Sequence, residues 1–284
     1  MNPGVQRVDI RRVARGTWLA LFGVAIAFLL YACWLVIAVD AMAWRPLPTY
    51  VQALPDVPQL VLYYYFGEAL GPSPAIIENA QFIFLFLSAW GAYGLCILHG
   101  WNKDKPRLFF FLILFVGLVL MYYNDRYNFR RVFAGELINW LQVQDTSSRS
   151  PIRILIEIGC YAFIAGFMVI AAWLFVRKWS AQSAYAKFFF TCGFVAYFVA
   201  SVASATRYVF SWYDRVGYLL MNRFPETFAE RLAHLPEGRG SHTYPPQFWL
   251  MDWWLEESIE YVGAAAFLAF ILFSATEFQR RPRS

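Results

Sequence analysis

Carboxyl groups recur at the ends of the apolar stretches of this chain, although an ionised side chain is costly beside hydrocarbon. Three of these stretches open with Ile followed by Glu, at Glu78, Glu157 and Glu260. Five further acidic residues lie at or near similar boundaries: Asp40, Asp125, Asp252, Glu256 and Glu257. Grouped carboxylates can hold a divalent cation or a cationic ligand, and one of them can keep its proton and act as an acid. These boundaries are where the sequence places its candidate chemistry.

The acids before the last apolar stretch have a regular spacing. Asp252, Glu256 and Glu260 are four residues apart, so in a continuous α-helix they share one face as a ladder of like charge. Such pairs are mildly destabilising in water, and burial makes them worse. Cations from elsewhere in the chain must therefore balance part of this charge.

Fewer arginines than acids lie close to these boundaries in sequence. Arg153 and Glu157 have the i, i+4 spacing of a helical ion pair. Eight acids face only four nearby arginines, which are Arg126, Arg130, Arg153 and Arg207. Two interpretations stay open: a structural one, in which an Arg–Glu network only joins helices, and a functional one, in which surplus carboxylates bind a ligand or act as an acid.

We take seven residues as the candidate ligand-binding set. The three Ile-Glu glutamates are its repeated core, two other acids are their neighbours, and two arginines serve as braces or contacts for an anion. The set is Glu78, Asp125, Arg126, Glu157, Arg207, Glu256 and Glu260. A divalent cation is the candidate cofactor, whereas no catalytic residue or metal ligand is identified. If the protein is an enzyme, the expected reaction is a carboxylate-activated attack at the membrane surface.

The elements that must position these residues follow from composition. Hydrophobic residues make up 60% of the 284 residues and charged residues only 15%. A soluble domain has no means to bury such an excess of apolar side chains. Six stretches approach or exceed the roughly 20 apolar residues that cross a bilayer, and they do not alternate as barrel strands would. They are 17–39, 79–99, 107–124, 157–177, 186–207 and 256–276. We expect an all-α polytopic membrane protein with six transmembrane helices in a single integral domain, 1–284.

Weak internal similarity predicts that the six helices form three hairpin repeats, about 17–99, 107–177 and 186–276. Each even-numbered stretch opens with Ile-Glu, and two odd-numbered stretches end in Arg-Tyr-x-Phe, at 126–129 and 207–210. Chance is the alternative, because Ile-Glu is only a dipeptide and glutamate is favoured at any helix N-terminus.

The long connections between the spans carry their own pattern. Phe133, Leu137, Trp140 and Leu141 recur at helical spacing as one apolar stripe among polar residues. Tyr and Trp residues are enriched beside these connections, as in the aromatic belts of membrane proteins. The pattern predicts amphipathic interfacial helices on the extracytoplasmic side.

Charge separates the two faces. With six spans, both termini share a face with the connections near 99–107 and 177–186, and that face holds thirteen Lys and Arg but only three acids. Lys/Arg-rich short loops stay in the cytoplasm, so we expect both termini inside a bacterial inner (plasma) membrane. The first apolar stretch is too long for a signal peptide, which favours a retained helix.

The sequence contains no motif for several other common kinds of chemistry. It contains no nucleophile elbow and no phosphate-binding glycine loop, and His234 and His242 lack metal-ligand spacing. The basic residues follow from topology, so no nucleic acid is expected as a partner. No ionisable residue lies deep in a predicted span, which argues against ion-coupled transport.

Two functions remain. In the first, an acidic, arginine-braced site at the extracytoplasmic rim binds a cation, a lipid head group or a lipid-linked substrate, with membrane lipid as the partner. In the alternative, the chain is a non-catalytic accessory subunit that packs against partner membrane subunits of a larger complex.

Overall fold

The computed structural model describes residues 10–53, 59–67, 74–142, 150–178, 183–207, 209, 211–233 and 245–278. Within these ranges every regular element is helical. In chain order the helices are α1 (Ile10–Leu35), α2 (Thr49–Gln52), α3 (Val61–Phe66), α4 (Ile76–Trp101), α5 (Lys105–Tyr127), α6 (Phe129–Trp140), α7 (Pro151–Lys178), α8 (Ala184–Thr206), α9 (Trp212–Met221), α10 (Glu226–Ala233), α11 (Pro246–Trp249) and α12 (Glu257–Phe278).

Two π-helical segments interrupt this pattern. Val36–Ala41 continues α1, and Leu250–Glu256 joins α11 to α12. The residues of the sequence patterns that lie outside the described ranges are Tyr208, Phe210, His234 and His242, together with the charged ends 1–9 and 279–284.

The predicted all-helical class and the six apolar spans are confirmed. Among the described residues, six helices are long and apolar enough to cross a membrane: Val13–Ala41, Ile76–Trp101, Lys105–Tyr127, Pro151–Arg177, Ala184–Thr206 and Pro246–Phe278. The last one begins ten residues before the predicted span. Its first three turns carry two acids, Asp252 and Glu256, which set them apart from the apolar run of the predicted span, but the π-helical segment runs into α12 without a break.

Helix α12 lies at the centre of the bundle, where it packs against α1, α4 and α8. Of its most apolar stretch 61% is buried, against 11% for α7, which packs on α5, α6 and α8. Small side chains allow this close approach, since the run Ala264, Ala265 and Ala266 is buried on all sides. The position of α12 therefore decides which residues meet at each end of the bundle.

Two glycines set the register between α8 and α12. A Cβ at Gly193 would lie 2.9 Å from the ring of Phe267, and a Cβ at Gly263 would lie 2.6 Å from the ring of Tyr197. Each helix thus receives an aromatic ring of the other at a position without a side chain. Because small residues at helix interfaces let backbones approach closely in membranes, this reciprocal contact fixes the two helices against each other.

The end of the bundle where α5 and α8 begin is filled by aromatic rings. Phe175 and Phe190 stack with ring centroids 4.3 Å apart, and Phe270 meets them edge-on at 5.7 and 5.2 Å. Phe110 adds a fourth ring 6.1 Å from Phe270. Edge and stacked pairs of this kind contribute about 0.5–1.5 kcal/mol each beyond the area that they bury. We call these four residues the aromatic core.

Candidate functional site

The opposite end of the bundle, where α4 and α12 begin and α5 and α8 end, holds an acidic cavity. Its volume is about 500 Å³ including its open mouth. The described side chains lining it include six acids and three arginines, a formal excess of three negative charges. The acids are Glu78, Asp125, Asp252, Glu256, Glu257 and Glu260, and the arginines are Arg130, Arg131 and Arg207.

The π-helical segment explains why four acids near the start of α12 share one face. A π-helix bonds residues five apart, so Asp252 and Glu257 become neighbours, which a regular α-helix would not allow. The predicted ladder of Asp252, Glu256 and Glu260 therefore gains a fourth member, Glu257. Single π-turns inside helices are frequent at functional sites.

Arg207 balances part of this charge. Its Nη1 lies 2.5 Å from Oδ1 of Asp252 and its Nη2 lies 3.7 Å from Oε1 of Glu256. Nε donates a hydrogen bond of 3.1 Å to the carbonyl of Ser204 at the end of α8. Burial lowers the pKa of the Arg207 guanidinium, but Asp252 and Glu256 outweigh burial and raise the pKa well above its usual value. Arg207 thus stays cationic and holds these two acids.

Neighbouring hydroxyl groups complete this arrangement. Tyr213 donates a hydrogen bond of 2.9 Å to Oε2 of Glu256, and burial followed by the charges of Glu256 and Asp252 raises the pKa of Tyr213, so that it remains a donor. Ser204 Oγ accepts hydrogen bonds from Arg130 Nη2 at 3.3 Å and from the Tyr161 hydroxyl at 2.6 Å. Arg207, Arg130 and these partners form what we call the arginine brace.

A second group of acids has amide partners. Gln81 Nε2 donates to Glu260 Oε2 at 2.8 Å and to Asp125 Oδ2 at 3.5 Å, and Asn124 Nδ2 donates to Asp125 Oδ1 at 3.2 Å. No described Lys or Arg nitrogen lies within 4.0 Å of the carboxylates of Asp125, Glu257 or Glu260. The brace therefore accounts for only part of the negative charge in the cavity.

Several buried polar atoms at this end have no hydrogen-bond partner among the described residues. Three are acceptors, namely Gln81 Oε1, Asn124 Oδ1 and Glu257 Oε2, and two are donors, Arg126 Nη1 and Trp253 Nε1. The Tyr197 hydroxyl, which can donate or accept, has no partner either. Gln81 is fully buried although it lines the cavity. A buried polar atom without a partner costs about 1–3 kcal/mol, so each acceptor has a strong demand for a donor.

The structure brings together five of the seven residues in the predicted set, because Glu78, Asp125, Arg207, Glu256 and Glu260 line the acidic cavity. Glu157 and Arg126 are not among its lining residues. Glu157 forms the expected i, i+4 pair with Arg153 at 3.2 Å. The Arg126 guanidinium lies over the ring of Phe82, 5.0 Å from its centroid. Two of the three Ile-Glu glutamates thus share the cavity, while the glutamate of α7 does not line it.

One boundary acid has a structural role. Both oxygens of Asp40 accept hydrogen bonds from the first turn of α3, from Val61 N at 3.0 Å and from Leu62 N at 2.7 Å. Arg231 approaches the same carboxylate at 3.7 Å. A carboxylate at a helix N-terminus satisfies donors that the helix itself leaves unpaired. Asp40 is therefore explained without a ligand.

Sequence reasoning missed several residues of the site. Asp252 and Glu257 stood among the boundary acids but not in the predicted set, and Gln81 was not considered. A signal for Gln81 existed, since it follows Glu78 by three residues and so lies on the same helix face. Ser204 and Tyr213 carry no such signal, because only the packing of α8 and of α9 against the π-helical segment Leu250–Glu256 brings them to the brace.

An apolar cavity adjoins the acidic one. It has a volume of about 530 Å³ including its open side and lies between α5, α7 and α8, lined largely by apolar side chains such as Met121, Met168 and Phe194. Asp125 lines both cavities, and Asn124 lines the apolar one. The two spaces therefore meet at the end of α5.

Among the described residues, no three His, Cys, Asp or Glu side chains are placed to hold a metal ion. Comparison with protein-family models, with curated proteins and with solved structures finds no match to this chain.

Proposed function

We propose that this chain is a multi-pass protein of the bacterial inner membrane that binds a positively charged group in the acidic cavity. The observation that supports this proposal most strongly is the group formed by Asp125, Glu257 and Glu260. Their carboxylates line one cavity, and no described cation lies within ion-pair distance of them. Buried charges are normally paired, so a ligand cation would complete the site.

An organic cation fits the described side chains better than a metal ion. Calcium and magnesium take six or more oxygen ligands in a compact shell, whereas these carboxylates and amides are spread along the cavity wall. Gln81 Oε1 and Glu257 Oε2 accept no hydrogen bond from a described residue. An ammonium group carries N–H donors for these acceptors.

The orientation in the membrane, the interfacial helices and the hairpin repeats are part of the same proposal. We place both termini in the cytoplasm, which puts the acidic cavity on the extracytoplasmic side with α6, α9 and α10 along the interface. The supporting observation is the excess of Lys and Arg on the sequence segments assigned to the inner face. The three hairpin repeats remain part of the proposal, supported by the shared Ile-Glu of α4 and α12 at one cavity.

Thiol labelling tests the orientation. Lys103→Cys and Asn139→Cys, each exposed, are made separately after the four native cysteines have been replaced by alanine. A membrane-impermeant maleimide added to spheroplasts should label the Asn139→Cys protein and leave the Lys103→Cys protein unlabelled until the membrane is broken. The reverse pattern would overturn the orientation.

Ligand-induced stabilisation tests the cation site. A ligand that binds only the folded protein raises its stability in a saturable way. Ethylammonium chloride should raise the melting temperature of the wild-type protein beyond the effect of sodium chloride at the same ionic strength. A double variant, Glu257→Gln with Glu260→Gln, should lose most of this response, while Glu157→Gln should keep it because Glu157 does not line the cavity. Equal responses in all three proteins, or none in the wild type, would exclude the proposed function.

The accessory-subunit alternative has no observation of its own among the described residues, and it stays a prediction. The carboxylate-activated attack at the membrane surface stays a prediction as well.

A further inference from the structure

We infer that the ligand of the acidic cavity is a lipid whose head group ends in a primary ammonium, with an acyl chain in the apolar cavity between α5, α7 and α8. This inference rests on the proposed function, and it names the class of ligand. It depends on three features: the acceptors without partners, the adjoining apolar space and the residue that joins the two cavities.

The first feature requires N–H donors on the cation. Gln81 donates hydrogen bonds from its amide nitrogen to Glu260 and Asp125, and both are acceptors, so the orientation of the amide is set. Oε1 is left with no partner among the described residues, as is Glu257 Oε2. A quaternary ammonium carries charge but no N–H group, so it cannot satisfy these atoms. A primary ammonium offers three donors.

The second feature is a place for an apolar chain. The cavity beside Asp125 is lined by side chains of three spanning helices, among them Met121, Met168 and Phe194. Val169 and Phe198 line the same cavity and are half exposed on the bundle surface. Because the exposed surface of a spanning helix faces lipid, an acyl chain can enter this space from the bilayer.

The third feature is continuity between the two spaces. Asp125 lines both cavities, and its neighbour Asn124 lines the apolar one with a buried Oδ1 that has no described partner. A ligand with its charge at one end and an acyl chain at the other would occupy both cavities at once. Such an amphiphile matches the acidic cavity in charge and the adjoining cavity in polarity.

The charges of the site also select among lipid head groups. The formal excess of three negative charges disfavours an anionic head group. A zwitterionic phosphoethanolamine head group suits the site, because its ammonium meets the carboxylates while its phosphate leaves the head group neutral overall.

Phosphatidylethanolamine and phosphatidylcholine with identical acyl chains form a matched pair of probes, since they differ in N–H donors and not in net charge. The protein is reconstituted with equal amounts of both lipids, and the lipids that it retains are counted by native mass spectrometry. Because hydrogen bonds to charged groups favour the primary ammonium, we expect the protein to retain about tenfold more phosphatidylethanolamine than phosphatidylcholine. Equal retention of both lipids would overturn the inference.

Two substitutions on α7 locate the chain. Val169→Trp places a large ring in the apolar cavity, whereas Val176→Trp is exposed two turns further along and does not line it. Val169→Trp should abolish the preference for phosphatidylethanolamine, and Val176→Trp should retain it. A preference that survives Val169→Trp would mean that the chain lies elsewhere.

Ethylammonium separates this inference from the proposed function. Ethylammonium has no long chain, so it should stabilise the Val169→Trp protein as it does the wild type, which also shows that the variant is folded. Stabilisation of the wild type by ethylammonium without selective lipid retention would overturn the lipid inference and keep the cation site. Failure of both measurements would exclude both.

Discussion

The two ends of α12 differ in whether their side chains have packing and hydrogen-bond partners. Toward its C-terminal end, Phe270 and Phe273 are buried among rings of other helices. Toward its N-terminal end, Glu257 and Glu260 line a cavity, and Glu257 Oε2 has no hydrogen-bond partner among the described residues. One helix therefore carries a closely packed half and a half with unbalanced charge.

This difference shows how a bundle can tolerate an acidic site. Packing is cooperative along a rigid helix, so the contacts of the aromatic core and of Gly193 with Phe267 hold α12 in place. The acids at the other end are then held near each other although they repel. Functional sites commonly keep such unfavourable arrangements at the expense of stability.

The brace should produce the largest effect on stability. Arg207→Ala would leave the buried carboxylates of Asp252 and Glu256 without their cation, which typically destabilises by about 3–5 kcal/mol. Unfolding in detergent, followed by circular dichroism, measures this change. Arg215→Ala on the exposed side of α9 is the matched control, and equal losses in the two variants would contradict the role of the brace.

A substitution that crowds the closely packed half of α12 should cause the second-largest loss of stability. A Cβ at Gly193 would overlap the ring of Phe267, which contacts Phe190 of the aromatic core, so Gly193→Ala should destabilise by about 1–3 kcal/mol, as overpacking does. Gly166→Ala in α7 is the control, since nothing lies within 4 Å of a Cβ there. If both variants melt at the same temperature, the contact between α8 and α12 is looser than described.

The acidic half should show a gain in stability. Glu257→Gln removes one charge from a cluster of like charges, and we expect the ligand-free protein to become more stable by about 1 kcal/mol. The same substitution should weaken the stabilisation by ethylammonium. A loss of stability would instead mean that the carboxylate of Glu257 is needed for the fold.

The smallest effect is expected at the ion pairs near the start of α5. Asp104 lies 3.3 Å from Arg107 and 3.6 Å from His99, and its side chain is about a quarter exposed. Asp104→Asn should change stability by about 0.2–1 kcal/mol, as partly exposed ion pairs do. A change as large as that of Arg207→Ala would remove the contrast between the two ends.

The helices were predictable because long apolar stretches have few alternatives in a membrane protein. The start of the last span was not, because no periodic pattern marks the π-helical segment Leu250–Glu256. The acidic boundaries pointed to the end of the bundle that holds the acidic cavity. Which acids meet there depends on which helices are neighbours. Helix α12 packs on α4, and this contact brings Glu260 and Glu78 together. Helix α7 packs on α5, α6 and α8, and its Glu157 pairs with Arg153 instead. Spacing within one helix does not contain that information.

An experimental structure of the protein in phosphatidylethanolamine nanodiscs tests the acidic cavity most directly. We expect density for a head group in the cavity, with its nitrogen about 3 Å from Gln81 Oε1 and Glu257 Oε2 and an acyl chain between α5, α7 and α8. A cavity in which these acceptors are met by arginine side chains or by water alone would contradict the assignment of this end of the bundle to a cationic ligand.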